Sequence, residues 1–210
     1  MEPVPTLEAI RTLRSMRRLK TRMIEPEKVR TIIEAAGRAP SGSNTQPWEF
    51  IVIKDNDVKI KLRDLTVRGL EVYVKSNLLI PKDTMNSYLT SNDPVVTLAK
   101  STDKIPILIL VCLNRKRAKR LTDEWAVLEE QANWASIFPA VQNMLLASRA
   151  LGIGTAVSIF PLFFEKELIQ LFELPNYVKP AILVYLGYPC SRFSEGKRNS
   201  IESFVHENRW

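Results

Sequence analysis

The spacing of apolar residues predicts two helices in the first half of the chain. After Pro26, four apolar residues recur at the i, i+3, i+4, i+7 spacing of one helix face, and Gly37 follows them. Proline suits the first turn of a helix, and a glycine commonly ends one. The pattern therefore predicts a helix that begins at Pro26 and ends near Gly37. Apolar positions from Val58 to about Leu79 predict a second helix.

Short β-branched and continuous apolar runs predict the strands. Residues 50–53 form a short run after a polar loop, and the runs 107–111 and 181–186 are apolar at every position. Strands that are buried on both faces show such runs. The segment from Gly152 to Ser158 is predicted to enter a further strand.

A long helical pattern lies between the two apolar strand runs. It extends from Asp123 to Leu151 and is closed by Gly152. Pro139 is expected to kink or break this helix, because the proline ring cannot donate the i to i−4 hydrogen bond. A shorter amphipathic helix is predicted over residues 164–174.

Two segments lack a strong periodic pattern. Residues 81–103 read as a long irregular or weakly helical excursion, and because loops of this length are usually functional or mobile, the segment is a candidate lid. After Gly187 the chain becomes polar and extended up to Trp210. The tail, residues 191–210, is nevertheless too apolar to hang in water, and we expect it to pack on another surface. Its large apolar residues are Phe193, Ile201, Phe204, Val205 and Trp210.

Composition predicts one globular domain over residues 1–210. The chain is 45% hydrophobic and 25% charged, close to the average of soluble proteins, and no repeat or flexible linker divides it. Cys112 and Cys190 are too few and too scattered for a disulfide framework or a zinc site, which favours buried or loop thiols in a reducing cytoplasm. No signal-like stretch and no apolar run of about 20 residues is visible, so we expect a protein that is neither secreted nor transmembrane.

The net charge of +7 raises the question of nucleic-acid binding. Basic residues concentrate in two places, between Arg11 and Arg22 and between Arg115 and Arg120. We interpret the second cluster as a solvated connection, because acidic residues follow it. Aromatic residues are not interleaved with the basic ones as stacking platforms would be. A nucleic-acid-binding module is therefore a distant alternative, and we predict no nucleic-acid partner.

Several kinds of active site are not supported. The one histidine, His206, lies near the C-terminus, which argues against a histidine-rich metal site and against a Ser-His-Asp arrangement. The glycines around Ile153 lack the third glycine of the dinucleotide fingerprint and follow a helical pattern instead of a strand. The sequence identifies no catalytic side chain and no metal ligand.

Four separated motifs remain. The first is the arginine segment, residues 14–19, and the second is the loop 39–48 with the sequence APSGSNTQPW. The third combines the predicted helix after Pro139 with the glycine turn near Gly152, and the fourth is Gly187-Tyr188-Pro189. Together they resemble the nitroreductase family from about Leu7 to His206, and the loop matches the family's A-P-S-x-x-N-x-Q-P-W pattern at every fixed position.

The resemblance implies an α+β fold with a mixed central sheet surrounded by helices. It also implies a homodimer whose two FMN sites are built from both subunits, with the tail embracing the partner. FMN is expected and not FAD, because the basic residues suit a terminal phosphate and no second nucleotide-binding motif exists. Leu13 departs from the family, since many relatives have another arginine at this position.

The resemblance also implies which residues hold FMN. The arginine segment supplies phosphate and ring-edge contacts, the loop supplies contacts along the flavin, and a strand near residues 155–160 offers backbone N–H groups to the ring, with its register uncertain by one or two residues. A basic residue of the tail reaches the phosphate, either Arg198, which we favour, or Lys197. The predicted cofactor-binding residues are Arg14, Ser15, Arg17, Pro40, Ser41, Asn44, Ser158, Ile159 and Arg198.

The activity implied is a ping-pong transfer of hydride. NAD(P)H reduces FMN and leaves, and a small acceptor such as a nitroaromatic or a quinone then takes the electrons, while the protein supplies hydrogen bonds and positive charge. Relatives with the same fold also include dehalogenating and flavin-cleaving enzymes, which form the alternative interpretation. Residues 81–103 would decide between them.

Overall fold

A four-stranded antiparallel sheet lies at the centre of the computed structural model, which describes residues 4–77 and 80–210. The strands are β1 (Trp48–Ile53), β2 (Ile107–Asn114), β3 (Gly154–Ser158) and β4 (Val178–Gly187). Their spatial order is β1-β2-β4-β3, so β1 and β3 form the two edges. The predicted runs 50–53, 107–111 and 181–186 lie inside β1, β2 and β4, and β3 begins two residues after Gly152.

The α+β class is confirmed, and the sheet is more regular than the mixed sheet expected. All three strand pairings are antiparallel. Within the described residues, parallel pairing is confined to an isolated bridge between Ser15 and Thr155. The arginine segment thus supplies the parallel element, because it runs beside the edge of β3 without becoming a full strand.

Strand β2 separates two hydrophobic cores. Its residues Ile107, Ile109, Val111 and Leu113 face one core, which also holds Ile32, Ile137 and Met144 from the helices on that side. Leu108, Leu110 and Cys112 face the other core. Because side chains alternate along a strand, a strand buried on both faces must be apolar at consecutive positions, as the sequence predicted. Burial raises the pKa of the Cys112 thiol to about 12.

Helices cover both faces of the sheet. They are α1 (Thr6–Thr12), α2 (Pro26–Ala36), α3 (Asn56–Ser76), α4 (Met85–Thr90), α5 (Pro94–Lys100), α6 (Ala126–Ala150) and α7 (Glu165–Leu171). The helix predicted from Pro26 is confirmed. Among the described residues, no helix combines the length and the apolar character needed to cross a membrane.

Helix α3 begins two residues before the predicted start at Val58. Asp55 caps it, because one of its carboxylate oxygens accepts the backbone N–H of Val58 at 3.0 Å. The helix ends at Ser76, whereas the predicted end near Leu79 lies outside the described residues.

The predicted break at Pro139 is wrong. Helix α6 runs as one element of 25 residues with Pro139 inside it. Proline removes one hydrogen bond of the helical ladder, that to the carbonyl of Ala135. Ile137, Ala140 and Val141 beside it are buried, so tertiary packing holds the helix together across this position.

The candidate lid, residues 81–103, contains more regular structure than predicted. Helices α4 and α5 form most of it, and Asp93 caps α5 by accepting the N–H of Val95 at 2.7 Å. Both helices pack against α3 in a third cluster of buried residues that includes Leu70, Val74 and Val96.

The tail has two parts with different surroundings. Near its start, the Phe193 ring lies under the Arg149 guanidinium at 4.2 Å, and Glu195 pairs with Arg11 at 3.1 Å. Farther along, apart from a 3-10 turn at Ile201–Ser203, the tail is extended, and its large apolar side chains are exposed. The side chain of Trp210 is fully exposed, and within the described residues its one ring contact is with His206 in the same tail. This end of the tail packs on no core in the isolated chain.

Gly69 fixes the distance between α3 and the end of β3. A Cβ atom at Gly69 would lie 1.8 Å from the carbonyl oxygen of Phe160, which is backbone and cannot turn aside. We predict that Gly69→Ala lowers the free energy of unfolding by about 1–3 kcal/mol through overpacking. Gly37→Ala is the control, because its nearest atom would be at 3.5 Å, and we expect a change below about 1 kcal/mol. Urea unfolding of both variants measures this, and equal stabilities would contradict it.

Candidate functional site

The arginine segment is held against the free edge of β3 by backbone hydrogen bonds. Met16 donates its N–H to the Thr155 carbonyl at 2.7 Å. Four residues later, Lys20 donates to the Tyr188 carbonyl at 2.8 Å, and Cys190 donates back to Arg18 at 3.0 Å. The segment was predicted to supply phosphate and ring-edge contacts, and the structure makes it an extended strip that lines the sheet edge.

Two glycines make room for this strip. Gly154 and Gly187 face each other across β3 and β4. A Cβ at Gly154 would lie 3.0 Å from Leu19, and one at Gly187 would lie 2.9 Å from the same side chain. Because these two glycines have no side chains, the strip can approach the sheet closely, and Met16 packs into the space beside Gly154.

A polar cluster fixes the far end of the strip. Tyr188 donates a hydrogen bond from its hydroxyl to Glu25, and Lys28 donates to the same hydroxyl at 2.8 Å. Arg22 stacks over the Tyr188 ring at 4.5 Å. The bond from Tyr188 is the main reason why the pKa of Glu25 falls to about 2. Glu25 thus keeps its negative charge and ties α2 to the end of β4.

Two cavities open along the strip. The first, which we name the basic cavity, has a volume of about 320 Å³ and lies between Arg14, Arg17 and Arg18 on one side and Pro94 on the other. The second, the tail cavity, has about 210 Å³ and is lined by Arg14, Ser15 and Arg198 together with β3. Arg14 and Ser15 line both, so the cavities are contiguous.

A third cavity lies beyond the end of β3. This aromatic cavity, of about 460 Å³, is bounded by Tyr73 and Phe160, by Tyr88 from the candidate lid, and by Tyr185 from β4. Arg17 lines it as well as the basic cavity. Burial raises the pKa of Tyr185 and that of Tyr88, so both phenols stay neutral. The cavity offers flat apolar walls with one cation at the rim.

Val157 joins the tail cavity to the aromatic cavity, because it lines both. In β3 the carbonyl of Thr155 points away from β4 towards Met16, and strand alternation turns the N–H and carbonyl of Val157 to the same open edge. The predicted backbone contacts were Ser158 and Ile159, with a register uncertainty that includes Val157. Both predicted residues line the aromatic cavity, with the Ile159 side chain 48% exposed. Edge alternation was the signal that could have found Val157.

Positive charge at these cavities is uncompensated. Within residues 4–77 and 80–210, no carboxylate forms an ion pair with Arg14, Arg17, Arg18 or Arg198. The guanidinium of Arg198 bonds to the Lys197 carbonyl at 2.9 Å and lines the tail cavity, whereas Lys197 lines none of the three. The donor set suits a ligand with a phosphate at one end and a flat apolar body at the other.

The loop 39–48 has a strained backbone. Ser43, Asn44 and Gln46 all have positive φ values, between 47° and 55°. Each such residue costs on the order of 1–3 kcal/mol, and such strain concentrates at ligand sites. Ser41 holds the loop closed, because its hydroxyl accepts the Gln46 N–H at 3.0 Å. The Asn44 side chain is exposed and accepts a bond from Gln46 at 3.1 Å.

This loop is remote from the cavities within one chain. Its Gly42 donates to the Ser136 hydroxyl on α6 at 3.1 Å, whereas the tail cavity touches α6 at Leu145. Nine residues of helix separate these points, or about 13 Å. Pro40, Ser41 and Asn44 line none of the three cavities. The structure thus leaves these three residues apart from the cavities. It brings the other six predicted residues together at the cavities, namely Arg14, Ser15, Arg17, Ser158, Ile159 and Arg198.

Comparison with known proteins gives one family. The model of the nitroreductase family matches residues 10–188. A Methanothermobacter thermautotrophicus protein, provisionally named NADH dehydrogenase/NAD(P)H nitroreductase, is 28% identical over 207 residues, which are 97% of this chain and 87% of that protein.

Two further similar proteins carry different names, one a deiodinase and the other a nitroreductase. Iodotyrosine deiodinase 1 of Mus musculus is 29% identical over 182 residues, which cover 87% of this chain but 61% of that protein. A provisionally named nitroreductase of Desulfovibrio desulfuricans, solved in complex with FMN, is 25% identical, superposes with a TM-score of 0.69 and is covered over 97% of both chains.

Proposed function

The chain belongs to the nitroreductase family, and we propose that it is an FMN-dependent oxidoreductase that transfers a hydride from NAD(P)H to a small electron-poor acceptor such as a nitroaromatic or a quinone. The observation that carries this proposal is the set of adjoining cavities beside the arginine segment and β3, cationic at one end and aromatic at the other. Residues 1–210 act as a single flavin-binding domain.

The phosphate of FMN is held where Arg14, Ser15 and Arg198 meet. Two guanidinium groups and a hydroxyl can make charge-assisted bonds to a phosphate dianion, and no carboxylate of the described chain competes for these cations. The open edge of β3 would then face the flavin ring, where Val157 offers outward backbone groups and Ser158 and Ile159 line the neighbouring aromatic cavity.

FMN, when bound, would supply the redox chemistry of a ping-pong hydride transfer from NAD(P)H to the acceptor. The protein's part is electrostatic and steric. Arg17 stands between the basic and aromatic cavities and places positive charge beside the ring, which stabilises negative charge that develops there. No side chain is assigned as a general acid.

The second half of each site comes from a partner subunit. The strained loop carries Pro40, Ser41 and Asn44 on the surface, about 13 Å along α6 from the tail cavity, so in a homodimer it can contact the flavin of the other chain. Helix α6 also exposes Val127 and Phe138, eleven residues apart on one face. Exposed apolar surface of this kind marks protein interfaces.

The candidate lid forms one wall of the acceptor site, since Tyr88 and Leu98 line the aromatic cavity.

Deiodinase relatives at 29% identity favour one second candidate, reductive dehalogenation of an aromatic substrate at the same flavin. The free cysteines fit work in a reducing cytoplasm. We expect neither a nucleic acid nor a membrane as a partner.

We predict that the purified protein carries FMN and oxidises NAD(P)H only when an acceptor is present. Cofactor released by heat should run as FMN on chromatography, because the Arg14 and Arg198 cations suit a terminal phosphate. Release of FAD, or failure to take up flavin on reconstitution, would contradict the proposal. Parallel assays with a nitroaromatic and with iodotyrosine distinguish reduction of the acceptor from dehalogenation.

We predict that truncation after Pro189 yields a monomer that has lost FMN. The tail beyond Arg198 exposes Ile201, Phe204 and Trp210, each of which could contribute about 1.5–3 kcal/mol if buried on a partner, before ordering costs. The truncation also removes Arg198. Light scattering and flavin absorbance measure the two effects. A shorter truncation after Ser200 keeps Arg198 but removes the same three apolar residues, so it should also be monomeric and shows what the loss of the interface alone does to flavin binding. A stable dimer that holds flavin after the longer truncation would show that the tail is peripheral.

A further inference from the structure

A second cationic cavity lies outside the site described above. The basic turn, residues 115–120, follows β2, and the cavity beneath it has a volume of about 530 Å³. Its lining includes three cations, two amides and one phenol, namely Arg115, Lys116, Arg120, Asn133, Asn176 and Tyr177. Tyr177 adjoins Val178 at the start of β4, whereas Ser158 pairs with Leu183 five residues along that strand, about 16 Å away.

The basic side chains of the turn are exposed, as expected of a solvated connection, and hydrogen bonds hold its backbone. Arg115 donates its N–H to the Tyr177 carbonyl at 2.7 Å, and Lys116 donates to the Asn114 side chain at 3.0 Å. At the other end, Leu121 donates to a carboxylate oxygen of Glu129 at 2.6 Å. The turn therefore holds its backbone in a defined conformation.

The side chains of the turn divide into two sets. Arg117 points away from the cavity, where it pairs with Glu49 and donates to the Trp48 carbonyl at 2.9 Å. Arg115 and Arg120 line the cavity and form no ion pair within the described part of the chain.

The cavity keeps a net positive charge. Glu129 is the one carboxylate in its lining, and one oxygen of that group is already bonded to Leu121. Lys116 lies 3.7 Å over the Tyr177 ring, a contact that orients its ammonium without neutralising it. The lining has three cations and one carboxylate, and this charge balance suits a ligand that is a dianion. The forked donors of a guanidinium also fit the oxygens of a phosphate.

We propose that this cavity binds a phosphorylated small molecule, with its phosphate between Arg115, Lys116 and Arg120. The organic part of the ligand would lie beside the amides of Asn133 and Asn176 and the Tyr177 ring. There is room for it, because the cavity volume falls in the range of small-molecule sites. The site is independent of the flavin phosphate, which rests on Arg14 and Arg198.

Calorimetric titration of the flavin-loaded protein with inorganic pyrophosphate tests this proposal. We expect the double variant Arg115→Gln/Arg120→Gln to bind at least about tenfold more weakly, since two charge-assisted contacts are lost. Lys119→Gln removes a charge from the same turn at a residue that does not line the cavity, and should bind within twofold of the wild type. Thermal melts establish that the variants fold, and Lys116→Gln alone gives a milder test.

Equal weakening by Lys119→Gln would overturn the proposal, because it would indicate diffuse surface charge. Absence of pyrophosphate binding at millimolar concentration, or binding of an oligonucleotide in its place, would also overturn it. Arg14→Gln separates this site from the flavin site. It should leave pyrophosphate binding unchanged even where flavin is lost, and loss of pyrophosphate binding in this variant would mean that the anion occupies the flavin phosphate site.

Discussion

The hydrogen bond from Met16 to Thr155 is the contact on which the proposed flavin site depends. It attaches the arginine segment directly to the edge of β3, whereas the bonds of Lys20 and Cys190 hold the far end of the segment, so this bond sets where Arg14 and Arg17 lie relative to the strand. The contact is available because β3 is an edge strand whose outer carbonyls lack a partner strand. Gly154 and Gly187 make it possible sterically, since a side chain at either position would push Leu19 away.

The same edge explains why the site is incomplete in one chain. The strip covers β3 only as far as Thr155, so Val157 keeps its outward backbone groups at the junction of two cavities. Loop 39–48 is strained without an evident use in its own subunit, because Asn44 is exposed and lines none of the described cavities. Strain that persists at a surface loop is accounted for if the loop meets a ligand on another chain.

The fold could be predicted where one physical rule acts alone. The apolar runs of β2 and β4 follow from burial on both faces, and the helix from Pro26 follows from its periodicity and its proline start. The break considered at Pro139 does not occur, because tertiary packing outweighs the loss of one hydrogen bond. It was incomplete over residues 81–103, where short helices depend on packing against α3 more than on their own pattern.

The sequence likewise identified some residues of the candidate site and missed others. Motifs identified Arg14, Ser15, Arg17 and Arg198, which the structure brings to contiguous cavities. Val157 could not be identified by residue type, because its role rests on the direction of its backbone groups. The basic turn is exposed as expected, but the sequence reveals only its charge and not the hydrogen bonds that hold its backbone in shape.

The central claim is that each flavin site combines the strip of one chain with the loop of the other. Flavin content of a mixed dimer tests it most directly, with one chain carrying Arg14→Gln and the other Asn44→Ala, each with a different affinity tag. In a shared site the two substitutions fall together in one site and leave the other intact. The mixed dimer should therefore retain one tightly bound flavin, although both parent homodimers bind flavin weakly. A mixed dimer that binds flavin as weakly as its parents would place both residues in the site of a single chain and contradict this account.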